Sequence, residues 1–175
     1  MNLKKITEEL LDTFLEAGKI AKEISVRGVK ISIKPDKSPV TDGDLAVNKI
    51  LTKKIENITP TIPIISEESV DFKKKIESDT FWLIDPIDGT RDYINKKDEY
   101  TLNAALIVNF DPAIGIIYAP AKERLFFSLK TTSGIPHNTT MKFVKAKDTL
   151  RYLVTSQRIV FTPLFFKSDI RDVSS

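Results

Sequence analysis

The chain has 175 residues, which is enough for one domain with a hydrophobic core or for one lobe of a larger protein. Its composition, 41% hydrophobic and 29% charged, is typical of a folded globular protein and excludes disordered and collagen-like chains. The net charge of +3 comes from basic residues spread along the sequence, so we expect no nucleic-acid partner. The chain has no cysteine, which excludes disulfides, zinc–thiolate sites and thiol nucleophiles and fits a cytoplasmic location.

The N-terminal residues 1–16 mix apolar and charged side chains, and they lack the continuous apolar core of a signal peptide. No apolar run approaches the roughly 20 residues that are needed to cross a bilayer. We therefore expect no transmembrane segment. Peripheral contact with the inner face of the membrane stays open.

Two helices are predicted at the start of the chain. Apolar residues recur at steps of three and four over residues 3–24, which indicates one long amphipathic helix. Residues 30–40 are polar and contain two prolines, so they are predicted to form a loop. Thr41 then has the properties of an N-cap, with Asp44 as a capping-box acid three residues later. The second helix is defined by Leu45, Val47, Ile50, Leu51 and Ile55.

Short apolar runs follow the second helix and are typical of buried strands. Later runs, rich in β-branched and aromatic residues, predict an antiparallel meander. Helices followed by strands indicate an α+β fold, with two helices packed on a mainly antiparallel sheet. The predicted strands are residues 64–65, 81–84, 100–110, 113–118 and 124–129, with a weaker candidate at 150–155. The predicted separators are Asp111-Pro112 and residues 119–121.

Carboxylates follow directly after two of the predicted strands. Glu67 follows residues 64–65, and Asp85 and Asp88 follow residues 81–84. Strand ends are a common place for ligand sites in sheet proteins, and magnesium prefers several oxygen ligands. Asp85 and Asp88 could bracket one turn and share cations, with the backbone carbonyl of Ile87 as a further ligand. We therefore predict a magnesium site at these strand ends.

The alternative for each acid is a structural one. Asp-Pro and Asp-Gly are common turn dipeptides, so residues 85–89 alone would more often be a turn than a metal site. Two acidic clusters with the same order of strand and acid favour the metal site.

Thr90 and Asp44 are the candidate catalytic pair. A hydroxyl that is hydrogen-bonded to a carboxylate can orient a water molecule and help to deprotonate it. Gly89 and Thr90 could also begin a helix whose free N–H groups face an incoming phosphate. For Asp44 alone, helix capping is the simpler explanation.

A family resemblance is visible at this point. Residues 85–90 read Asp-Pro-Ile-Asp-Gly-Thr, and they follow Trp82 and the Glu-Glu pair at 67–68. This combination resembles the signature of the inositol monophosphatase superfamily of magnesium-dependent, lithium-sensitive phosphatases. Further segments resemble its CysQ-like branch of 3'(2'),5'-bisphosphate nucleotidases, which remove the 3'-phosphate of adenosine 3',5'-bisphosphate. These segments are residues 34–44, 99–107 and 115–120.

The resemblance implies a sugar-phosphatase-like fold, of which this chain would form the N-terminal lobe, the first half of an α-β-α-β-α layered arrangement. It implies two or three Mg²⁺ ions, whose ligands would be Glu67, Asp85, the carbonyl of Ile87 and Asp88. In such two-metal sites the ions stabilise the entering and leaving oxygens of an in-line displacement.

The resemblance also implies the roles of the remaining site residues. Asp44 and Thr90 would position the attacking water. Glu67, Asp88, Gly89 and Thr90 would contact the substrate, a small phosphorylated molecule. The implied enzyme is a phosphoric monoester hydrolase of the bisphosphate nucleotidase type. An inositol monophosphatase and a non-catalytic remnant stay open as alternatives.

The resemblance extends to about residue 158, whereas family members continue through a second α/β lobe with a Trp-Asp-x-Ala-Ala motif that this sequence lacks. The missing Asp would be the remaining protein ligand of the second metal. We therefore predict an N-terminal metal-binding lobe over residues 1–135, and the start of a truncated C-terminal lobe with an irregular tail over residues 136–175. The apolar stretch 160–166 would then have little to pack against, which predicts self-association.

Overall fold

A computed structural model describes residues 1–68 and 78–130, together with the backbone of two strands at 139–145 and 153–154. The helices are α1 (Leu3–Arg27), α2 (Asp42–Ile58) and α3 (Thr90–Ile94). The strands are β1 (Ile31–Ile33), β2 (Pro39–Thr41), β3 (Ile64–Ser66), β4 (Phe81–Asp88), β5 (Thr101–Val108), β6 (Asp111–Ala119), β7 (Arg124–Lys130), β8 (Thr139–Lys145) and β9 (Leu153–Val154). None of the helices in this part of the chain is long and apolar enough to cross a membrane.

Seven strands form the main sheet in the order of the sequence, from β3 to β9. Only the β3–β4 pair is parallel, and every later pair is antiparallel. The predicted α+β fold and the antiparallel meander are therefore confirmed. The sheet continues through β8 and β9, and the domain boundary near residue 135 stays a prediction.

The hydrophobic core lies between the sheet and the two long helices. One row of paired residues crosses four strands, namely Ile84, Ala104, Ile116 and Phe127. These side chains are buried in one cluster with the apolar faces of α1 and α2. Because side chains alternate along a strand, the intervening residues point to the other face of the sheet. This alternation decides which polar residues of β4 and β5 can meet.

The two predicted long helices are present, and their ends have the expected caps. Asn2 caps α1 by accepting a hydrogen bond from the backbone N–H of Lys5. Thr41 and Asp44 form the predicted capping box at the start of α2. One residue of the α2 pattern differs, because Leu45 is 53% exposed and lies outside the core.

Two sequence predictions about loops were wrong. Residues 30–40 were predicted as a loop, but they contain the antiparallel hairpin of β1 and β2, whose strands are only three residues long and too short to give a pattern. The turn between β5 and β6 was predicted at Asp111-Pro112, but it lies at Asn109 and Phe110, whose φ angles are 52° and 61°. Two consecutive positive φ values match the twist of the flanking strands, so the tight turn forms there.

A substitution on α1 tests how closely that helix packs on the sheet. A Cβ atom at Gly18 would lie 2.2 Å from Cε1 of Tyr118 on β6. We expect Gly18→Ala to lower the free energy of unfolding by about 1–3 kcal/mol through overpacking, although alanine is the better helix former. Urea unfolding measures the effect, with the exposed Lys19→Ala as the control. A Gly18→Ala variant as stable as the wild type would contradict this packing.

Candidate functional site

Strand β4 does not end at residue 84 but continues to Asp88, with an irregularity on the way. Asp85 pairs with Asn103, and Asp88 pairs with Thr101, so β4 has one residue more than β5 between these pairs. This is a β-bulge, and it contains Pro86, which has no N–H to donate to the ladder. Asn103 and Thr101 are two residues apart and share one face. The bulge therefore places Asp85 and Asp88 on the same face of the sheet. Residues 85–88 form a bulged strand and not the predicted turn.

Glu67 reaches the same place because β3 runs parallel to β4. Its backbone N–H donates to the carbonyl of Ile84 at 3.1 Å, which extends the β3–β4 pairing to the residue before Asp85. The preceding residue, Ser66, is fully buried, and its hydroxyl lies 2.6 Å from Oδ1 of Asn48 on α2. Strand pairing and this contact with α2 therefore fix where Glu67 leaves the sheet.

The carboxyl of Asp85 is the most perturbed acid of the site. Burial, followed by the negative charges of Glu67 and Asp88, raises the pKa of Asp85 to about 8. Its Oδ1 is buried and has no hydrogen-bond partner among the described residues. A buried carboxylate oxygen without a donor is costly, and here other acids surround it. This environment fits a bound cation.

Asp44 and Thr90 meet at the start of α2, as predicted. The hydroxyl of Thr90 lies 3.3 Å from Oδ1 of Asp44 and 3.1 Å from the carbonyl oxygen of Ile87. The other oxygen of Asp44 accepts from the backbone N–H of Thr41 at 2.8 Å and from its hydroxyl at 2.5 Å. Asp44 is only 1% exposed, and burial raises its pKa. Capping and the contact with Thr90 therefore use different oxygens of one carboxylate.

Gly89 joins the end of β4 to α3 and caps that helix. Its φ of 93° is in the left-handed region, and an added Cβ would lie 2.7 Å from the carbonyl oxygen of Glu99. Only glycine fits this position without strain. The predicted helix start at Thr90 is therefore present, and its contact with phosphate stays a prediction.

A lysine that sequence reasoning did not assign to the site also lies at these acids. Lys34, directly after β1, has its Nζ 2.8 Å from Oε1 of Glu68 and 3.2 Å from Oε1 of Glu67. The Glu68 side chain is 4% exposed, so Lys34 neutralises a buried carboxylate. In the sequence, Lys34 stood out only as part of the segment 34–44, which carries the family resemblance. Its contact with Glu67 and Glu68 depends on the hairpin of β1 and β2, and that hairpin was predicted to be a loop.

Clefts on the surface of the described residues differ in their relation to the site. The smaller one, of about 310 Å³, adjoins the site and is lined by Asp88 and Gly89 together with Tyr100, Thr101 and Lys122. A larger one of about 580 Å³ lies along α1 and contains none of the predicted site residues. We assign the chemistry to the smaller cleft because Asp88 and Gly89 of the candidate site line it.

The geometry brings together Glu67, Asp85, Asp88, Asp44 and Thr90, the side chains that were predicted for the site. Within residues 1–68 and 78–130, no three acid or histidine side chains converge as a formed metal centre. The oxygen ligands still fit a hard cation, because the buried Oδ1 of Asp85 has no hydrogen-bond donor among the described residues. The ligand roles stay predictions.

Comparison with known proteins identifies the family. Residues 2–165 match the profile of the Inositol monophosphatase family. The chain belongs to the inositol monophosphatase family. The family resemblance that was read from residues 85–90 is therefore confirmed.

Similar proteins within the inositol monophosphatase family include CysQ enzymes. The 3'(2'),5'-bisphosphate nucleotidase CysQ of Buchnera aphidicola subsp. Acyrthosiphon pisum is 43% identical over 103 residues, which cover 58% of this chain and 39% of the relative. The structure of CysQ from Bacteroides thetaiotaomicron has a TM-score of 0.59 at 29% identity, and the match covers 82% of this chain and 51% of that one. An IMPase/NADP phosphatase complexed with Mg²⁺ and phosphate has a TM-score of 0.67 at 17% identity, covering 77% and 53%, and shares the fold. The chain spans about half the length of the curated relatives that it matches.

The raised pKa of Asp85 in this inositol monophosphatase family chain predicts a pH dependence of stability. Between about 4, the pKa of an unfolded aspartate, and about 8, the folded metal-free chain binds more protons than the unfolded chain. Its free energy of unfolding should therefore fall as the pH rises across this range. Asp85→Asn should flatten this dependence and stabilise the metal-free chain near neutral pH.

Urea unfolding with EDTA, at several pH values, measures this effect. The exposed Asp12→Asn is the matched control and should leave the wild-type pH dependence unchanged. An Asp85→Asn variant with the wild-type pH dependence would show that Asp85 is not the group whose proton is linked to folding.

Proposed function

We propose that this chain supplies the metal- and phosphate-binding part of a phosphate monoester hydrolase of the 3'(2'),5'-bisphosphate nucleotidase type. The observation that carries the proposal is the buried Oδ1 of Asp85, which has no hydrogen-bond donor among the described residues and lies near the charges of Glu67 and Asp88. A cation would balance these charges. The adjoining pair of Thr90 and Asp44 supports hydrolysis rather than simple cation storage.

Magnesium is the proposed cofactor, and Glu67, Asp85, the carbonyl of Ile87 and Asp88 would hold it, with two or three ions when the site is complete. When bound, such ions supply positive charge to the phosphate oxygens and lower the pKa of a coordinated water. Oxygen donors alone suit Mg²⁺. The fold relative that was solved with Mg²⁺ and phosphate supports this choice.

Thr90 and Asp44 would orient the attacking water. The Thr90 hydroxyl can accept a hydrogen bond from that water while donating its own hydrogen to Oδ1 of Asp44. Burial makes Asp44 a stronger base than an exposed aspartate, because burial raises its pKa. The two hydrogen bonds from Thr41 keep the carboxylate in place during proton movement.

The proposed substrate is adenosine 3',5'-bisphosphate, from which AMP and phosphate would form. The support is the curated name of the Buchnera relative, which is 43% identical over 103 residues. An inositol monophosphate is the alternative substrate within the family, because solved proteins of this fold are named inositol monophosphatases. A non-catalytic protein that binds metal or phosphate is the alternative outside enzymes. The chain spans about half the length of its curated relatives.

A cytoplasmic location is proposed from the absence of cysteine. Peripheral contact with the inner face of the membrane and self-association remain part of the proposal. Residues 160–166, on which self-association was predicted, lie outside the described residues.

Phosphate release by the purified chain tests the proposal. We expect release from adenosine 3',5'-bisphosphate that is faster than release from inositol 1-phosphate, depends on Mg²⁺ and stops with EDTA. Asp85→Asn should reduce the rate by at least about 100-fold, since a lost shared ligand disorganises the site. Asp12→Asn is the matched control. A chain that is folded by circular dichroism but releases phosphate from neither substrate would contradict the enzyme proposal.

A change at Thr90 tests the proposed role of its hydroxyl. Thr90→Val keeps the shape and removes the contact with Asp44, so kcat should fall by about 10²–10⁴. Mg²⁺ affinity should stay within a factor of two or so, because Thr90 is not a proposed metal ligand. Thr90→Ser keeps the hydroxyl and should retain most activity. A Val variant that keeps its activity while the Ser variant loses it would instead indicate that the methyl packing matters and the hydroxyl does not.

A further inference from the structure

Asn103 is a polar residue in an otherwise apolar stretch of β5. Its neighbours Leu102 and Ala104 are buried and point to the face that the helices cover. Asn103 therefore points to the opposite face, and it is the direct cross-strand partner of Asp85. The sequence prediction placed no site residue on β5.

The side-chain amide of Asn103 has a hydrogen-bond partner for its nitrogen but none for its oxygen among the described residues. Its Nδ2 donates to Oδ2 of Asp88 at 3.4 Å. Its Oδ1 is buried and has no partner among the described residues. Oδ1 of Asp85 is the other buried side-chain atom in the same condition there. Buried polar atoms without partners are rare, and here both belong to one cross-strand pair. A single cation near both atoms would give each of them a partner.

The orientation of the amide is also supported by charge. The opposite orientation would turn the amide oxygen toward the Asp88 carboxylate, so that two acceptors would face each other. A carboxamide at this position adds an oxygen to the cluster without adding a fourth negative charge beside Asp85, Glu67 and Asp88. Burial and the acids already raise the pKa of Asp85, and a further acid would increase that cost.

We propose that Asn103 is a further residue of the cation site, with its Oδ1 binding the cation or a water of the cation's hydration shell and its Nδ2 orienting Asp88. Amide oxygens bind hard divalent cations, and partners that orient acidic ligands contribute to metal affinity. The inference deepens the proposed function and rests on it. It adds a neutral ligand from β5 to acids that come from β3 and β4.

Magnesium titration of the whole chain, without substrate, tests this inference. Asn103→Leu keeps the approximate shape and removes both the donor and the acceptor. We expect its Kd for Mg²⁺ to rise about 10–100-fold by calorimetry, and the rise in Tm with Mg²⁺ to shrink accordingly. Its metal-free Tm should equal or exceed that of the wild type, because a buried acceptor without a donor is removed. Asn57→Leu, at an exposed position of α2, is the matched control.

Asn103→Asp provides a second measurement if the Leu variant does not fold. It keeps the oxygen, loses the donor and adds charge, so the metal-free Tm should fall and the rise in Tm with Mg²⁺ should exceed that of the wild type. A purely structural role for Asn103 predicts equal changes with and without Mg²⁺.

The outcomes also separate this inference from the proposed function. If the wild type binds Mg²⁺ and Asn103→Leu binds it with the same Kd, the inference is wrong and the function proposal stands. An Asn103→Asp variant that Mg²⁺ stabilises less than the wild type would overturn the inference as well. If the wild type binds no Mg²⁺, both fail.

Discussion

The cost of ionising Asp85 is the constraint on which the rest of this site depends. The residue lies in β4, which is paired with a strand on each side, so its backbone cannot move its carboxylate away from Glu67 and Asp88 without breaking strand pairing. Desolvation and repulsion both oppose ionisation there, which is why the pKa of Asp85 is raised. Folding alone would not select such an arrangement, since an apolar residue would be more stable. The proposed cation would account for it.

The sheet assembles the site through three details of strand pairing. The parallel β3–β4 pair brings Glu67 beside Asp85, and the bulge at Pro86 turns Asp88 onto the same face. Cross-strand pairing then places Asn103 opposite Asp85. The candidate ligands from different strands are therefore held by one sheet, while Asp44 is added from the start of α2. Rigid placement of this kind is what a metal-dependent reaction requires.

Much of this arrangement could be predicted from the sequence. The three-and-four spacing of residues 3–24 and the capping box of Thr41 and Asp44 are local signals, and both are present in the structure. The apolar run 81–84 forms a strand as predicted, but the strand continues through Asp85 to Asp88. The β4 bulge and the positions of Lys34 and Asn103 could not be predicted, because they depend on pairing between distant segments. A three-residue strand such as β1 gives too short a pattern to recognise.

The position of the cation can be measured directly by crystallising the chain with Mn²⁺ in place of Mg²⁺ and locating the metal from its anomalous scattering. We expect a peak at about 2 Å from Oδ1 of Asp85, with carboxylate oxygens of Glu67 and Asp88 around the same density. A structure in which the side chains of the site are well defined but no anomalous peak lies next to Oδ1 of Asp85 would contradict the account. A metal bound only elsewhere on the chain would contradict it equally.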